Sequence, residues 1–367
     1  MRRSSHRCGF LVALVTLLSS FSNALAKDTA FKIVGYLSGG NFRKLDEIEL
    51  NKLTHLNLAF ANPNREGHLV FGRNVDVKPV VVRGHEAGLK VYVSLAGGGR
   101  PDRAVWKEVL QPANRSSFIR NILVFVEENN LDGVDVDIEW NLLPTLGELY
   151  TPFVIELKEA LHASGKGITA ALGATGLHEA VSQESLEAYD FINVMAYDKT
   201  GIWRPEDVGP HSPYSYAEDA IRYWTEKRRI APERIVLGVP LYGYDFTAPA
   251  RYVSFREIVE ADPSCAYKDV VESKYYNGIP TIVRKTELAK KKVGGVMIWE
   301  ISYDAPSELS LMRAVHQTVM AGDCEVKTFF RDEDGDGIGD PNKPFQACEA
   351  PKGYVEKKHD WPSRTAR

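Results

Sequence analysis

The residues with the most chemistry in this chain are Asp132, Asp135, Asp137 and Glu139, in the run LDGVDVDIEW at 131–140. Side chains of an extended strand alternate between faces, so Asp135, Asp137 and Glu139 share one face. Val134, Val136 and Ile138 share the other. Successive acids on such a face are only about 6–7 Å apart. Three carboxyls so placed cannot all ionise at low cost, so at least one keeps its proton toward neutral pH. A carboxylic acid held protonated there is what general-acid cleavage of a glycosidic bond requires. An edge strand with one solvated acidic face is the bland alternative, and it suits a meander better than a strand covered on both faces.

Such a strand needs a scaffold that hides its apolar face and opens its acidic one. Apolar, β-branched runs recur at 32–36, 55–60, 91–95, 133–139, 168–172, 191–197, 235–241 and 294–299. Several are nearly continuous hydrophobic runs, as expected of parallel strands buried under helices. Amphipathic stretches such as 118–128 and 153–161 lie between them, the second behind Thr151-Pro152, an N-cap and first-turn pair. Eight strand–helix units in about 300 residues predict a closed (β/α)8 TIM barrel. A doubly wound open sheet is the rival fold, and no glycine-rich phosphate loop supports it. Glu139 falls at the C-terminal end of its strand, where barrel enzymes carry their chemistry.

Composition narrows the function classes. The chain has 367 residues, 45 Lys+Arg against 49 Asp+Glu, and 44% hydrophobic residues. The net charge of −4 argues against a nucleic-acid partner. No stretch after the first 30 residues is long and apolar enough to predict a membrane span. Residues 1–26 read as a signal peptide: Arg2, Arg3 and Arg7, an apolar stretch, then Ala24-Leu25-Ala26. The mature protein is then exported, to the outside, the periplasm or the cell surface. Cleavage there leaves Cys265, Cys324 and Cys348, hence one disulfide at most, with Cys324 and Cys348 as the natural pair.

The acidic run resembles the D-x-x-D-x-D-x-E signature of family 18 glycoside hydrolases, the chitinase family. LTHLNLAFA (53–61), VSLAGGG (93–99), VMAYD (194–198), LGVPLYGY (237–244) and GGVMIWE (294–300) follow in the family's order. The resemblance runs from about residue 31 to residue 321 and implies a barrel domain over 27–321. It implies retaining, substrate-assisted hydrolysis without a cofactor, an exception to the usual two-carboxylate scheme. Glu139 would protonate the leaving oxygen, Asp137 would orient the substrate's acetamido group, and Asp135 would share a proton with Asp137. Tyr197, Asp198 and Met195 of MAYD match the segment that holds the N-acetyl group. Trp299 matches the tryptophan that floors the site, and Tyr36, Phe60, Trp203 and Tyr242 are candidate further walls.

The implied partners are chitin, chito-oligosaccharides or another glycan containing N-acetylglucosamine. An endo-β-N-acetylglucosaminidase acting on N-glycans and a non-catalytic chitin-binding lectin are the alternatives. The chain departs from the family pattern at Ala96, Ile138, Trp140, Asn141 and Tyr244 without losing an acid. Only a small insertion fits after the seventh strand, which implies a shallow cleft.

After residue 321 the composition turns to Asp, Gly, Pro and Lys, and 322–367 reads as a short irregular module. Asp332, Asp334 and Asp336 alternate in DEDGDG, followed by Asp340, like the start of a calcium loop. Lys343 stands where an EF-hand would place its bidentate Glu, so the motif is closer to Asp/Gly-rich calcium repeats.

Overall fold

The computed structural model describes residues 31–356, apart from 73, 74, 100, 322–326, 333, 348, 349, 351 and 352. The leader at 1–26 and both Cys324 and Cys348 lie outside the described residues. No helix among those described is long and apolar enough to cross a membrane.

Eight parallel strands form the core: β1 (Lys32–Ser38), β2 (His55–Pro63), β3 (Lys90–Ala96), β4 (Gly133–Asp137), β5 (Gly167–Gly173), β6 (Phe191–Met195), β7 (Ile235–Pro240) and β8 (Gly295–Trp299). Each pairs with its neighbours in chain order, and β1 pairs with both β2 and β8. The sheet is therefore closed on itself, the (β/α)8 barrel expected from the strand–helix alternation.

The period of two decides what lies on each side of the wall. Val134, Val136 and Ile138 are fully buried in the apolar layer between barrel and helices. Helix Pro112–Glu128 covers that layer with Phe118, Ile119, Ile122 and Val126. Trp106 meets Phe118 edge-on at 5.7 Å, and Phe118 stacks on Phe153 at 5.9 Å. The barrel interior carries a polar group instead, with Asn57, Ser94, Asp135, Thr169 and Asn193 all buried there beside a smaller apolar cluster that includes Val34, Ala171, Val236 and Met297. Asp132 sits at the strand's entrance, where its Oδ2 accepts from the Val91 amide and faces His85 Nε2, both at 2.8 Å.

Two expectations change, at Thr151 and in the C-terminal segment, and the insertion after β7 gains detail. Thr151 does not cap the helix over 153–161, because a tight turn, Gly147–Leu149, runs straight into helix Tyr150–Ala163. Leu149 is already helical there, and the Thr151 hydroxyl pairs with Ser182 at 3.0 Å. The insertion between β7 and β8 is small but ordered, with a four-stranded antiparallel sheet built on Tyr242–Asp245. The C-terminal segment is not irregular: Lys327–Arg331 pairs antiparallel with Asp340–Ala347 and Tyr354–Val355. Pro341, Pro344 and the Asp/Gly turn interrupt the alternation that would have announced these strands.

Candidate active site

Asp135, Asp137 and Glu139 rise in that order through the barrel toward the C-terminal ends of its strands. Asp135 lies deepest and accepts four hydrogen bonds. Tyr36 Oη (2.8 Å) and Ser94 Oγ (2.6 Å) reach one oxygen; Thr169 Oγ1 (2.6 Å) and Asn193 Nδ2 (3.2 Å) reach the other. Burial raises its pKa, and these donors pull the other way by stabilising the carboxylate. Asp137 has no such support, and its Oδ1 is buried without a partner among the described residues. Burial, then the charges of Glu139 and Asp135, hold its pKa well above the carboxylate range. The proton in this stack therefore belongs with Asp137, above a carboxylate pinned by four donors.

Glu139 stands just past β4, where the backbone has begun to turn: its carbonyl accepts from the Leu142 and Leu143 amides at 2.9 and 2.8 Å. Burial, with a contribution from Asp198, raises its pKa to about 7. The turn after β3 makes room for this carboxyl. A Cβ on Gly98 would lie 2.5 Å from Glu139 Oε1. Ala96 and Gly97, just before it, both have left-handed backbone, at φ +73° and +79°. Ala96 thus adopts a conformation that suits glycine better, and its methyl group carries the strain.

Asp198 follows β6 and reaches the same mouth. Its Oδ1 accepts from Tyr244 Oη at 2.8 Å and from Tyr242 Oη, and it faces His211 Nδ1 at 3.4 Å. Tyr197 is buried beside it, with its hydroxyl against Met297 Sδ. Trp299, at the end of β8, stacks on Phe60 with ring centres 5.5 Å apart and planes 18° from parallel. Met195 packs against this interior cluster. Met195, Tyr197, Asp198, Tyr242 and Trp299 lie at or just beyond the C-terminal end of a barrel strand, the face on which barrel enzymes act.

A carboxyl with its pKa raised to about 7, a second held well above the carboxylate range beneath it and a stacked aromatic pair at the mouth suit acid catalysis on a carbohydrate. The model of the glycosyl hydrolases family 18 matches residues 32–304. The chain belongs to that family. A family 18 chitinase from the chitin utilization locus of Flavobacterium johnsoniae is 40% identical, with TM-score 0.76 over 80% of this chain and 94% of that one. A chitinase-like effector of Moniliophthora roreri is 29% identical over 265 residues, 65% of this chain and 64% of the effector. An endochitinase of Manduca sexta is 27% identical over 272 residues, 63% of this chain and 48% of the insect protein. The chain thus spans less than two thirds of these two curated relatives.

Within the family 18 barrel, the candidate walls divide. Trp203 is half exposed on a loop, edge-on to Tyr244 at 5.6 Å. Tyr242 is buried and stacked on Tyr252 at 4.5 Å, so it offers Asp198 a hydroxyl rather than a face to the cleft. Tyr36 is 1% exposed and its hydroxyl is committed to Asp135; it supports the acid stack from inside. His211 and Tyr244 escaped the sequence reading as site residues. Tyr244 was visible only as a departure from the family's pattern, and nothing near His211 in sequence pointed to Asp198.

In the C-terminal segment, carboxylate oxygens of Asp332, Asp334 and Asp336 lie within 4.8 Å of one another. Asp340 stands outside this group, paired across the sheet with Arg331.

The contact at Gly98 has a direct kinetic consequence. Gly98→Ala would push the Glu139 carboxyl from its place, and kcat should fall by at least about tenfold. Steady-state kinetics beside near-UV circular dichroism checks this; an intact fold with wild-type kcat would contradict it.

Proposed function

We propose that this protein is an exported glycoside hydrolase that cleaves β-1,4 bonds in chains of N-acetylglucosamine by substrate-assisted, retaining hydrolysis. The observation that carries the reading is the pairing of Glu139, with pKa near 7, and Asp137, with a buried unpartnered oxygen. Glu139 gives its proton to the leaving oxygen as the C–O bond breaks. The carbonyl oxygen of the substrate's acetamido group attacks the anomeric carbon and forms a cyclic oxazolinium ion. Asp137 accepts the acetamido N–H on its free oxygen, and once its proton has passed to Asp135 its carboxylate offsets the developing positive charge. Glu139, now ionised, takes a proton from the water that opens the ring and restores the anomeric configuration. Tyr197 and Asp198 border the acetamido pocket, and the Trp299 face takes the apolar side of the sugar. No second carboxylate is asked to act as nucleophile, in keeping with the family.

The decisive experiment offers purified residues 27–367 a chito-pentaose and, separately, a high-mannose glycopeptide, with products read by mass spectrometry. Shortened chito-oligomers support the proposal. Cleavage of the glycopeptide alone would move the protein to N-glycan hydrolysis. Binding without cleavage of either would make it a lectin.

The pH profile follows from the Glu139 proton. A general acid must be protonated, so kcat/KM holds on the acid side of about 7 and falls as pH rises through that value. A profile from pH 4 to pH 9 on an uncharged chito-oligosaccharide reads this limb; a limb near the ordinary glutamate value would contradict it.

The same proposal gives the C-terminal segment a stabilising calcium ion. Asp332, Asp334 and Asp336 offer an all-oxygen donor set, which suits a hard cation. Their loop amides already bond to several of these oxygens: Gly335 and Gly337 donate to Asp332 at 2.8 and 2.9 Å. The turn is thus shaped before any ion arrives. Millimolar calcium should raise the unfolding temperature, chelation should lower it, and Asp334→Ala should abolish the difference. Catalytic constants should stay unchanged throughout.

A further inference from the structure

Lys285, on helix Ile279–Lys292, is fully buried, and no carboxylate among the described residues lies within ion-pair distance of it. Its Nζ donates instead to Ser212 O (2.6 Å), Ser212 Oγ (2.7 Å) and Asn277 Oδ1 (2.7 Å). All three can only accept, because the Ser212 hydroxyl sends its own hydrogen to Ala196 O at 2.6 Å. Three acceptors match the three hydrogens of an ammonium and exceed the two of an amine. Burial pushes the lysine down toward about 7, and Asp269 is the charge that opposes it. A lysine kept at such cost, away from solvent and outside the acid stack, has to be doing something for the segment it grips.

That segment lies behind the mouth of the barrel. Ala196, held by Ser212, immediately precedes Tyr197 and Asp198. His211, next to Ser212, is fully buried, with Nδ1 facing Asp198 and Nε2 facing Tyr242 O at 3.1 Å. The Lys199 amide donates to His211 O at 2.9 Å, and Thr200 Oγ1 donates to Gly209 O at 2.7 Å. Residues 209–212 are therefore stitched to 196–200 on both sides of Asp198. Asp198 itself has φ +59°, a left-handed conformation that an aspartate keeps only where its surroundings over-determine it.

We infer that Lys285 and Ser212 form a buried clamp that fixes Tyr197 and Asp198 beside Glu139. Lys285 is a positioning residue, 0% exposed and out of reach of any sugar. The inference rests on the reading of Glu139 as the proton donor. The charged and titratable groups that face Glu139 are Asp137 on β4 and Tyr197 and Asp198 after β6. If the clamp opens, Asp198 recedes and its negative charge no longer opposes ionisation of Glu139.

The test uses Lys285→Met and Ser212→Ala in residues 27–367. Steady-state kinetics on chito-pentaose gives kcat and KM. Carbon-13 NMR of labelled glutamate gives the Glu139 titration, assigned by its loss in Glu139→Gln. In Lys285→Met, kcat should fall by about tenfold or more and KM should change by less than about twofold. Glu139 should titrate at lower pH. Ser212→Ala, a smaller change, should move all three readouts in the same directions. A folded variant of either kind that keeps both the wild-type kcat and the wild-type Glu139 titration would overturn the clamp. So would loss of thermal stability alone. Should Lys285→Met fail to fold, Ser212→Ala decides the matter. If the wild type cleaves no chito-oligomer, the proposed function fails, and the NMR titration still reads the clamp.

Discussion

Glu139→Gln is expected to lose hydrolysis of chito-oligosaccharides by about 10³-fold, because a glutamine cannot deliver the proton that general acid catalysis supplies. The same substitution should make the protein more stable at alkaline pH. Glu139 has its pKa raised from 4.5 to about 7. Its protonated form therefore favours the folded state fully below 4.5, and that contribution is lost as pH rises through about 7. The shift is worth roughly 3 kcal/mol at most. Glutamine is neutral at every pH and escapes the loss. Thermal unfolding should thus show the variant several degrees above the wild type at pH 8 and level with it at pH 4. Equal unfolding temperatures at pH 8 would mean that Glu139 is better solvated than its surroundings indicate.

The second large effect is on folding. Asp135→Ala removes the acceptor of four donors at once, from Tyr36, Ser94, Thr169 and Asn193. Each lies inside the closed barrel, and a buried donor left without a partner costs about 1–3 kcal/mol. Two of the hydroxyls can turn elsewhere, so a loss of about 3–5 kcal/mol is expected in a denaturant titration. Asp135→Asn keeps the shape and one acceptor oxygen, and should cost clearly less. A loss below about 1 kcal/mol for the alanine variant would show that the network does little for stability.

Much of this molecule could be read from its residues. Eight apolar runs became eight barrel strands, because parallel strands buried on both faces need continuous hydrophobic sequence. The acid stack was legible for the opposite reason: Asp135 and Asp137 break that pattern at every second position, where only the barrel interior can hold them. Contacts between distant segments were not legible. Lys285 meets Ser212 across 73 positions, and Tyr36 meets Asp135 across 99. Tyr36 shows why residue type alone misleads: its ring suggested a wall, while the direction of its hydroxyl makes it part of the interior. The C-terminal strands were hidden by their own prolines and by the Asp/Gly turn between them.

The alternation along β4 also limits how this gene can change length. Adding or deleting one residue between Asp132 and Asp137 would exchange the two faces of the strand. Carboxylates would then enter the apolar layer under Phe118 and Ile122, and valines would fill the acid-lined interior of the barrel. The loops after β3 and β6 carry no such parity and can vary in number of residues as long as Gly98 and Asp198 keep their places. Insertions and deletions among relatives should accordingly collect in those loops, while the interval from Asp135 to Glu139 stays constant.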